Sequence, residues 1–319
     1  MRRLIDAFLS PSTALVRVLT VANLVANIGI VVTGGAVRLT GSGLGCPTWP
    51  RCTEESFTPN SELGIYGVIE FGNRLLTYVL VAIAIATWFA ILRWRPLRRH
   101  SLFLATGIAL GIPFQGVIGG ITVLTDLNPW VVALHMMLSM ALIAGATVLV
   151  IWVRRPYGHG GTRIVPGPAR CLTVLTYVSL WVTLYVGTIV TGSGPHAGDI
   201  DSPRNGLDPA DMSQFHADAV FLLFGLTLGC VLTFRALRLP SRPADIFLAV
   251  TLAQGTVGFV QYVTDLPIAL VATHMLGAAA LVACGTWLLC AAYARGGVTT
   301  AADALGSTQP HQAGTSAKE

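Results

Sequence analysis

The chain has 319 residues, of which 53% are hydrophobic and only 11% are charged, and its mean hydropathy is +0.68. Soluble domains carry about 25% charged residues, so this composition excludes an ordinary soluble protein and indicates one that crosses a membrane several times. The net charge of +5 does not indicate a nucleic-acid partner, because the basic residues flank apolar segments, where they set membrane topology.

Eight apolar segments are long enough to cross a bilayer, which needs about 20 such residues. In chain order they cover residues 16–37, 65–92, 102–124, 130–153, 172–191, 215–237, 246–263 and 267–292. The first is interpreted as a retained span rather than a cleaved signal, because no small-x-small site follows it before Arg38. The sequence therefore predicts an all-α polytopic membrane protein with eight transmembrane helices.

The basic residues are unequally divided between the two sides of these spans. Sixteen of the twenty lie on one side, while only Arg38, Arg51 and Arg204 lie on the other and Arg74 lies within a span. Because basic loops stay in the cytoplasm, both termini are predicted to be cytoplasmic, in a multi-pass protein of the cell membrane.

A glutamine, an aspartate and a histidine occur twice with the same spacing. The two copies, displaced by 139 residues, are Gln115, Asp126 and His135, and Gln254, Asp265 and His274. Because polar groups in hydrocarbon are costly, their repetition predicts a duplicated site. A Thr-Gly-Ser-Gly segment also ends both the first and the fifth span. These repeats predict two pseudo-symmetric four-helix bundles, residues 1–155 and 156–295, followed by a disordered cytoplasmic tail, 296–319.

His135, His216 and His274 are the candidate iron ligands. All three are expected in the outer third of the bilayer, and imidazole readily binds haem iron; a helix-to-helix hydrogen bond is the alternative for any one of them. The position equivalent to His216 in the first half is near Asn73, and asparagine is a poor iron ligand. The second half thus offers a saturated pair suited to electron transfer, whereas the first offers one strong ligand, which suits a bound substrate haem.

Glu70 and Arg74 are four residues apart on one helical face. They are either a structural ion pair or an acid/base or cation-stabilising carboxylate with its partner, and an intramembrane carboxylate is a functional candidate by default. Cys46 and Cys52, in the first outer loop, are expected to form a disulfide outside the cytoplasm, and that disulfide is either a structural staple or a redox-active pair.

Several further polar residues receive weaker predictions. Arg38 and Arg204 are candidates to bind haem propionates, although topology and solvation explain them equally well. The two repeated glutamines are expected to hydrogen-bond between helices. The other cysteines are predicted to be small apolar fillers; they are Cys171, Cys230, Cys284 and Cys290.

Together these residues resemble the haem A synthase family, whose members oxidise haem O to haem A in the membrane. The resemblance extends from the first span to the eighth. It is carried by the Cys46/Cys52 pair, by Glu70-x-x-x-Arg74 and by the three candidate histidines. The segment Glu-Phe-Gly-Asn-Arg, residues 70–74, is similar to the actinobacterial branch.

The resemblance implies a haem b cofactor on His216 and His274, and a substrate haem O on His135, with weaker contributions from Asn73 and Arg74. Many members have a histidine where this chain has Asn73, and some have a second outer-loop cysteine pair that this chain lacks. Glu70 would be needed for activity, the oxidation of a haem methyl group to a formyl group.

The implied partners are haem O synthase, the cytochrome oxidase assembly apparatus, membrane lipid and a quinone or other electron acceptor. Two alternatives remain from the residues themselves. One is a dihaem cytochrome b-type quinone oxidoreductase that leaves its haems unaltered, and the other is a haem-handling membrane transporter.

Overall fold

A computed structural model describes residues 11–95, 99–154 and 163–294, and every element in those ranges is a helix. After a short 3-10 turn at Ser61–Leu63 comes the second of eight long helices. These are α1 (Thr13–Leu39), α2 (Gly64–Arg93), α3 (Arg99–Leu124), α4 (Pro129–Arg154), α5 (Gly167–Ser193), α6 (Pro209–Ala236), α7 (Arg242–Val263) and α8 (Ile268–Ala292). All eight are long and apolar enough to cross a membrane, so the predicted eight-span fold is confirmed. The predicted tail, 296–319, lies outside the described residues.

Several helices begin earlier than hydropathy predicts. Helix α6 begins at Pro209, six residues before the apolar segment, because the Asp208 side chain caps it by accepting hydrogen bonds from the backbone N–H groups of Ala210 and Asp211. Helix α5 likewise begins at Gly167, with a proline in its first turn. The Asp208 cap sets the start of α6, and a first-turn proline rather than a capping side chain marks the start of α5.

The helices pack as two rings of four. Helices α1 to α4 contact one another in cyclic order, as do α5 to α8. The rings meet where α4 packs on α8, α1 on α8 and α4 on α5. Each ring has its own buried apolar core, and a third core lies between them, with Met140 and Ile143 of α4 against Ala279 and Val282 of α8. We refer to α1–α4 as the first half and α5–α8 as the second.

The repeated aspartate belongs to a turn in each half. Asp126 and Leu127 have φ values of 52° and 59°, and Asp265 and Leu266 have φ values of 59° and 58°. In both turns the leucine N–H donates to a carbonyl oxygen five residues earlier, at 2.8 Å. Both aspartates are exposed. The three repeated polar residues therefore have two different roles. The aspartate forms a left-handed turn, and only the glutamine and the histidine face other helices.

The left-handed turns make a prediction about stability. A left-handed conformation costs about 1–2 kcal/mol for a residue with a Cβ, and aspartate tolerates it better than β-branched residues do. Asp126→Val should therefore lower the thermal unfolding temperature in detergent, whereas Asp126→Gly should leave it unchanged or raise it. Equal unfolding temperatures for the two variants would contradict this account of the turn.

Candidate functional site

The two repeated glutamines join the histidine-bearing helices to their neighbours. Gln115 on α3 donates through Nε2 to the backbone carbonyl of His135 at 2.9 Å, and Gln254 on α7 donates to that of His274 at 2.7 Å. Gln115 also donates to Ser139 Oγ at 2.5 Å. The expected interhelical hydrogen bonds are thus confirmed, and they hold α4 and α8 at the turn that carries each imidazole.

Each candidate histidine packs its Cε1 edge against a glycine of a neighbouring helix. A Cβ on that glycine would lie 3.3 Å from Cε1 in one case and 3.0 Å in the other two. The pairs are His135 with Gly119 of α3, His216 with Gly187 of α5, and His274 with Gly258 of α7. Because these glycines have no side chain, the imidazoles lie against the backbone of the adjacent helix.

Asn73 also lies beside a glycine of a neighbouring helix. A Cβ on Gly34 of α1 would lie 3.9 Å from Asn73 Nδ2, so α1 presents a glycine to Asn73 as α5 presents one to His216. The Asn73 side chain is also held by Thr33, whose Oγ1 lies 2.8 Å from Asn73 Oδ1. Asn73 therefore takes the place in the first half that His216 takes in the second.

His216 and His274 face each other across the second half. Their ring centroids are 6.5 Å apart and their planes are inclined at 74°. With metal–nitrogen distances of about 2 Å on each side and roughly 1 Å more to each ring centroid, two imidazoles on one iron have centroids about 6 Å apart. The separation of this pair fits a single haem iron, whose remaining ligands are the four porphyrin nitrogens.

The Nδ1 atoms of all three histidines are buried and hydrogen-bond to no residue that the structure describes. The Thr183 carbonyl oxygen lies beside the His216 ring but does not meet hydrogen-bond geometry. Buried polar atoms are nearly always paired, so these three Nδ1 atoms are open to a partner that the chain does not supply, either water or a bound group. Three imidazoles in the same condition fit the binding of a group that the protein chain does not itself supply.

Glu70 and Arg74 hold the loop between α1 and α2 against α2. The loop is closed by a disulfide between Cys46 and Cys52. The Cys46 N–H donates to Glu70 Oε2, and Arg74 pairs with Glu70 Oε1 at 2.6 Å. Arg74 also donates to the carbonyl oxygens of Cys46, Thr48 and Arg51 at 3.0–3.1 Å. The ion pair foreseen as the structural alternative is therefore present, and both carboxylate oxygens of Glu70 are engaged.

The same loop brings an indole ring to the first half. Trp49 packs against Gly120 of α3, the residue next to the Gly119 that contacts His135. In the second half the residue 139 positions after Gly120 is Phe259, which is exposed. Sequence reasoning missed both Trp49 and the glycines. The available signal was that Gly119 and Gly258 share the displacement of the repeated histidines.

Arg38 joins the two halves, whereas Arg204 is held within the loop between α5 and α6. Arg38 at the end of α1 donates to the carbonyl oxygens of His196, at 2.6 Å, and Thr191, at 2.9 Å, both from the second half. Arg204 donates to two carbonyl oxygens of its own loop. Each guanidinium has five N–H donors, so each keeps donors for an anion such as a haem propionate.

The remaining cysteines differ in their surroundings. Cys230 is a buried filler whose Sγ lies 3.2 Å from Thr176 Oγ1. Cys284 and Cys290 are half-buried. Cys171 is exposed on α5, so the prediction that it fills the bundle was wrong: its side chain is turned away from the neighbouring helices.

Comparison with known proteins places these features in a family context. The family model described as "Cytochrome oxidase assembly protein" matches residues 17–65 and 60–198, more than half of the chain. The chain is 33% identical over 140 residues to the haem A synthase of Lysinibacillus sphaericus, covering 43% of this chain and 44% of that protein. It is 26% identical over 208 residues to that of Staphylococcus epidermidis, covering 60% and 66%, and 31% identical over 208 residues to that of Methylobacterium radiotolerans, covering 54% of each. The matches thus span about half to two thirds of the relatives' length.

The Glu70–Arg74 cluster makes a second prediction. Removing one partner of a buried ion pair costs about 3–5 kcal/mol, and Arg74 and Glu70 side chains are only 20% and 7% exposed. Arg74→Gln should therefore lower the thermal unfolding temperature in detergent markedly and should speed alkylation of the two loop cysteines after mild reduction. The matched control is Arg235→Gln, in an ion pair with Asp245 whose side chains are 63% and 33% exposed. An exposed pair contributes about 1 kcal/mol or less, so similar losses in both variants would contradict the assigned role of Arg74.

Proposed function

The chain belongs to the cytochrome oxidase assembly protein family, and on that basis we propose that it is a haem A synthase, an oxidoreductase that converts the haem O methyl group to a formyl group. The observation that carries the proposal is the broken symmetry of the two halves. One half pairs His216 with His274 at a separation that fits one iron. The other has His135, Asn73 and the Glu70–Arg74 cluster under a disulfide-closed loop.

The second half is proposed to hold a resident haem b between His216 and His274. Gly187 and Gly258 fix the two rings, and the fit rests on the 6.5 Å centroid separation and the unpaired Nδ1 atoms. When bound, a haem with two imidazole ligands supplies one-electron transfer. The chain's own part is to orient both rings and to keep them within the bundle.

The first half is proposed to bind haem O as substrate. His135 is the iron ligand, seated on Gly119 and held from behind by the Gln115 hydrogen bond to its carbonyl oxygen. Trp49 covers the adjacent stretch of α3. Arg74 fixes the loop that carries Trp49, so it acts as a positioning residue.

The reaction is proposed to proceed by two oxidations of the haem methyl group. With water as the oxygen source, methyl and water give an alcohol with release of two electrons and two protons, and the alcohol then gives the aldehyde with release of two more of each. A quinone or another membrane electron acceptor takes the electrons. Glu70 is proposed to accept protons or to stabilise positive charge at the methyl carbon, a role common for buried carboxylates. Its engagement with Arg74 and the Cys46 N–H fixes the carboxylate in place.

The membrane context completes the proposal. The arginine distribution supports cytoplasmic termini and sites toward the outer face of the cell membrane. Arg38 and Arg204 have N–H donors at that face beyond those that bind backbone carbonyl oxygens. They are proposed to bind haem propionates. Haem O synthase would supply the substrate, and cytochrome oxidase assembly would consume the product.

A second candidate function is favoured by one observation. Both Glu70 oxygens are already engaged, which is the arrangement expected if the carboxylate is structural and the protein only transfers electrons, as a dihaem quinone oxidoreductase does. That protein would leave its haems chemically unaltered.

Extraction of haems from cells that make haem O separates the two candidates. Expression of the chain should yield haem A, identified by mass. Glu70→Gln keeps the side-chain size and an acceptor for Arg74 but removes the charge and breaks the ion pair. It should therefore lower stability, as Arg74→Gln does, and lower haem A formation at least a hundredfold. Retention of the resident haem distinguishes lost chemistry from a lost fold. Absence of haem A with the wild-type chain would refute the synthase, and normal haem A with Glu70→Gln would remove the carboxylate from the mechanism.

The resident haem site can be tested through its glycine. A Cβ on Gly258 would meet His274 Cε1 at 3.0 Å, whereas one on Gly255 of the same helix meets nothing within 4 Å. Gly258→Ala should displace the imidazole, so that the low-spin electron paramagnetic resonance signal of the second-half haem shifts or the haem is lost from the purified protein. Gly255→Ala should leave signal and haem content as in the wild type. If neither substitution changed the resonance signal or the haem content, Gly258 would not set the ligand geometry.

A further inference from the structure

The first half differs from the second at Asn73, which lies beside a glycine of α1 as His216 lies beside a glycine of α5. Resting on the proposed function, we infer that Asn73 is a hydrogen-bond donor to a small ligand on the open face of the substrate iron, and that it is not an axial ligand. The first half then contains a binding site for a small ligand, either one that binds through oxygen or a diatomic molecule. The second half lacks such a site.

The orientation of the Asn73 amide carries this inference. Thr33 Oγ1 lies 2.8 Å from Asn73 Oδ1 and 3.2 Å from the carbonyl oxygen of Ile30. The shorter of the two contacts is the one to the amide oxygen, which therefore faces α1. The amide oxygen, the only atom of asparagine with a useful lone pair for a metal, is thereby engaged with α1.

The other end of the amide is free. Asn73 Nδ2 makes no hydrogen bond to any residue in the described ranges, and it is the atom that lies nearest to a Cβ on Gly34, at 3.9 Å. At the corresponding place in the second half, the His216 ring lies against Gly187. Asn73 thus places an N–H donor where the second half places an iron ligand.

The chemical consequence is an iron with one protein ligand. The contact with Gly119 fixes the His135 ring. His135 would then hold the substrate haem from one side. An amide N–H cannot coordinate iron but stabilises a polar ligand on it by a hydrogen bond, as distal donors do in haem pockets. An iron held between two imidazoles, as proposed for His216 and His274, has no free position for such a ligand.

Carbon monoxide is the probe for this site. Purified protein with two haems per chain, reduced, should bind one carbon monoxide per chain. Asn73→His should supply the missing imidazole and lower carbon monoxide binding at least tenfold. Asn73→Leu should still bind one carbon monoxide, but with its C–O stretching frequency raised, because a donor to the bound oxygen lowers that frequency. These measurements do not require turnover.

Thr33 and Thr77 provide matched substitutions. Thr33→Val removes the hydroxyl that holds the amide, so the C–O frequency should move toward that of Asn73→Leu. Thr77→Val removes a hydroxyl that contacts only the backbone carbonyl oxygen of Asn73, at 3.4 Å, and should leave the frequency unchanged.

Three results would overturn the inference. A two-haem wild-type protein that binds no carbon monoxide would show a second axial ligand. An Asn73→Leu protein with the wild-type frequency would show that Asn73 donates nothing. A wild-type chain that holds only one haem would remove the first-half iron altogether. Failure of the synthase proposal has a different signature, normal carbon monoxide binding without formation of haem A.

Discussion

An imidazole can reach the backbone of a neighbouring helix only where that helix has no side chain in the way. Three histidines of this protein satisfy that condition through Gly119, Gly187 and Gly258, and the geometry of both halves depends on it. The glycines fix where each ring lies, and the 6.5 Å separation of His216 and His274 follows from two such contacts on opposite sides of one ring of helices. Glutamine hydrogen bonds to the carbonyl oxygens of His135 and His274 then hold each histidine-bearing turn in position.

The first half adds a polar cluster that has no counterpart among residues 163–294, the described part of the second half. The buried ion pair of Glu70 and Arg74 holds an irregular loop through hydrogen bonds to its backbone. Irregular backbone leaves its carbonyl groups without the regular hydrogen bonds of a helix, and Arg74 donates to three of these loop carbonyls at once. The loop in turn places Trp49 beside the glycine that adjoins the His135 contact. The proposed substrate side is thus positioned by this loop as well as by its helices, and the proposed cofactor side by its helices.

Much of this arrangement could be predicted from the sequence. Hydropathy located all eight spans, because a bilayer demands long apolar runs. It missed the starts of α5 and α6, which carry a first-turn proline and the Asp208 cap respectively. The repeat located Gln115, His135 and their copies. It also included Asp126 and Asp265, which repeat because both halves need the same left-handed turn. The partners of Glu70 and the Thr33–Asn73 contact could not be predicted, because they join residues far apart in sequence and depend on how the helices meet.

The packing of the two rings has a consequence for how the protein arose. One contact between the rings, α4 with α8, joins equivalent helices, and the other two, α1 with α8 and α4 with α5, are exchanged by the pseudo-twofold relation. This is the pattern of an isologous interface between two copies of a four-helix protein. In a homodimer, every substitution appears in both subunits, so Asn73 and His216 could not occupy equivalent positions. Fusion into one chain removes that constraint, so the two halves can carry different side chains at equivalent positions, as the two proposed haem sites require.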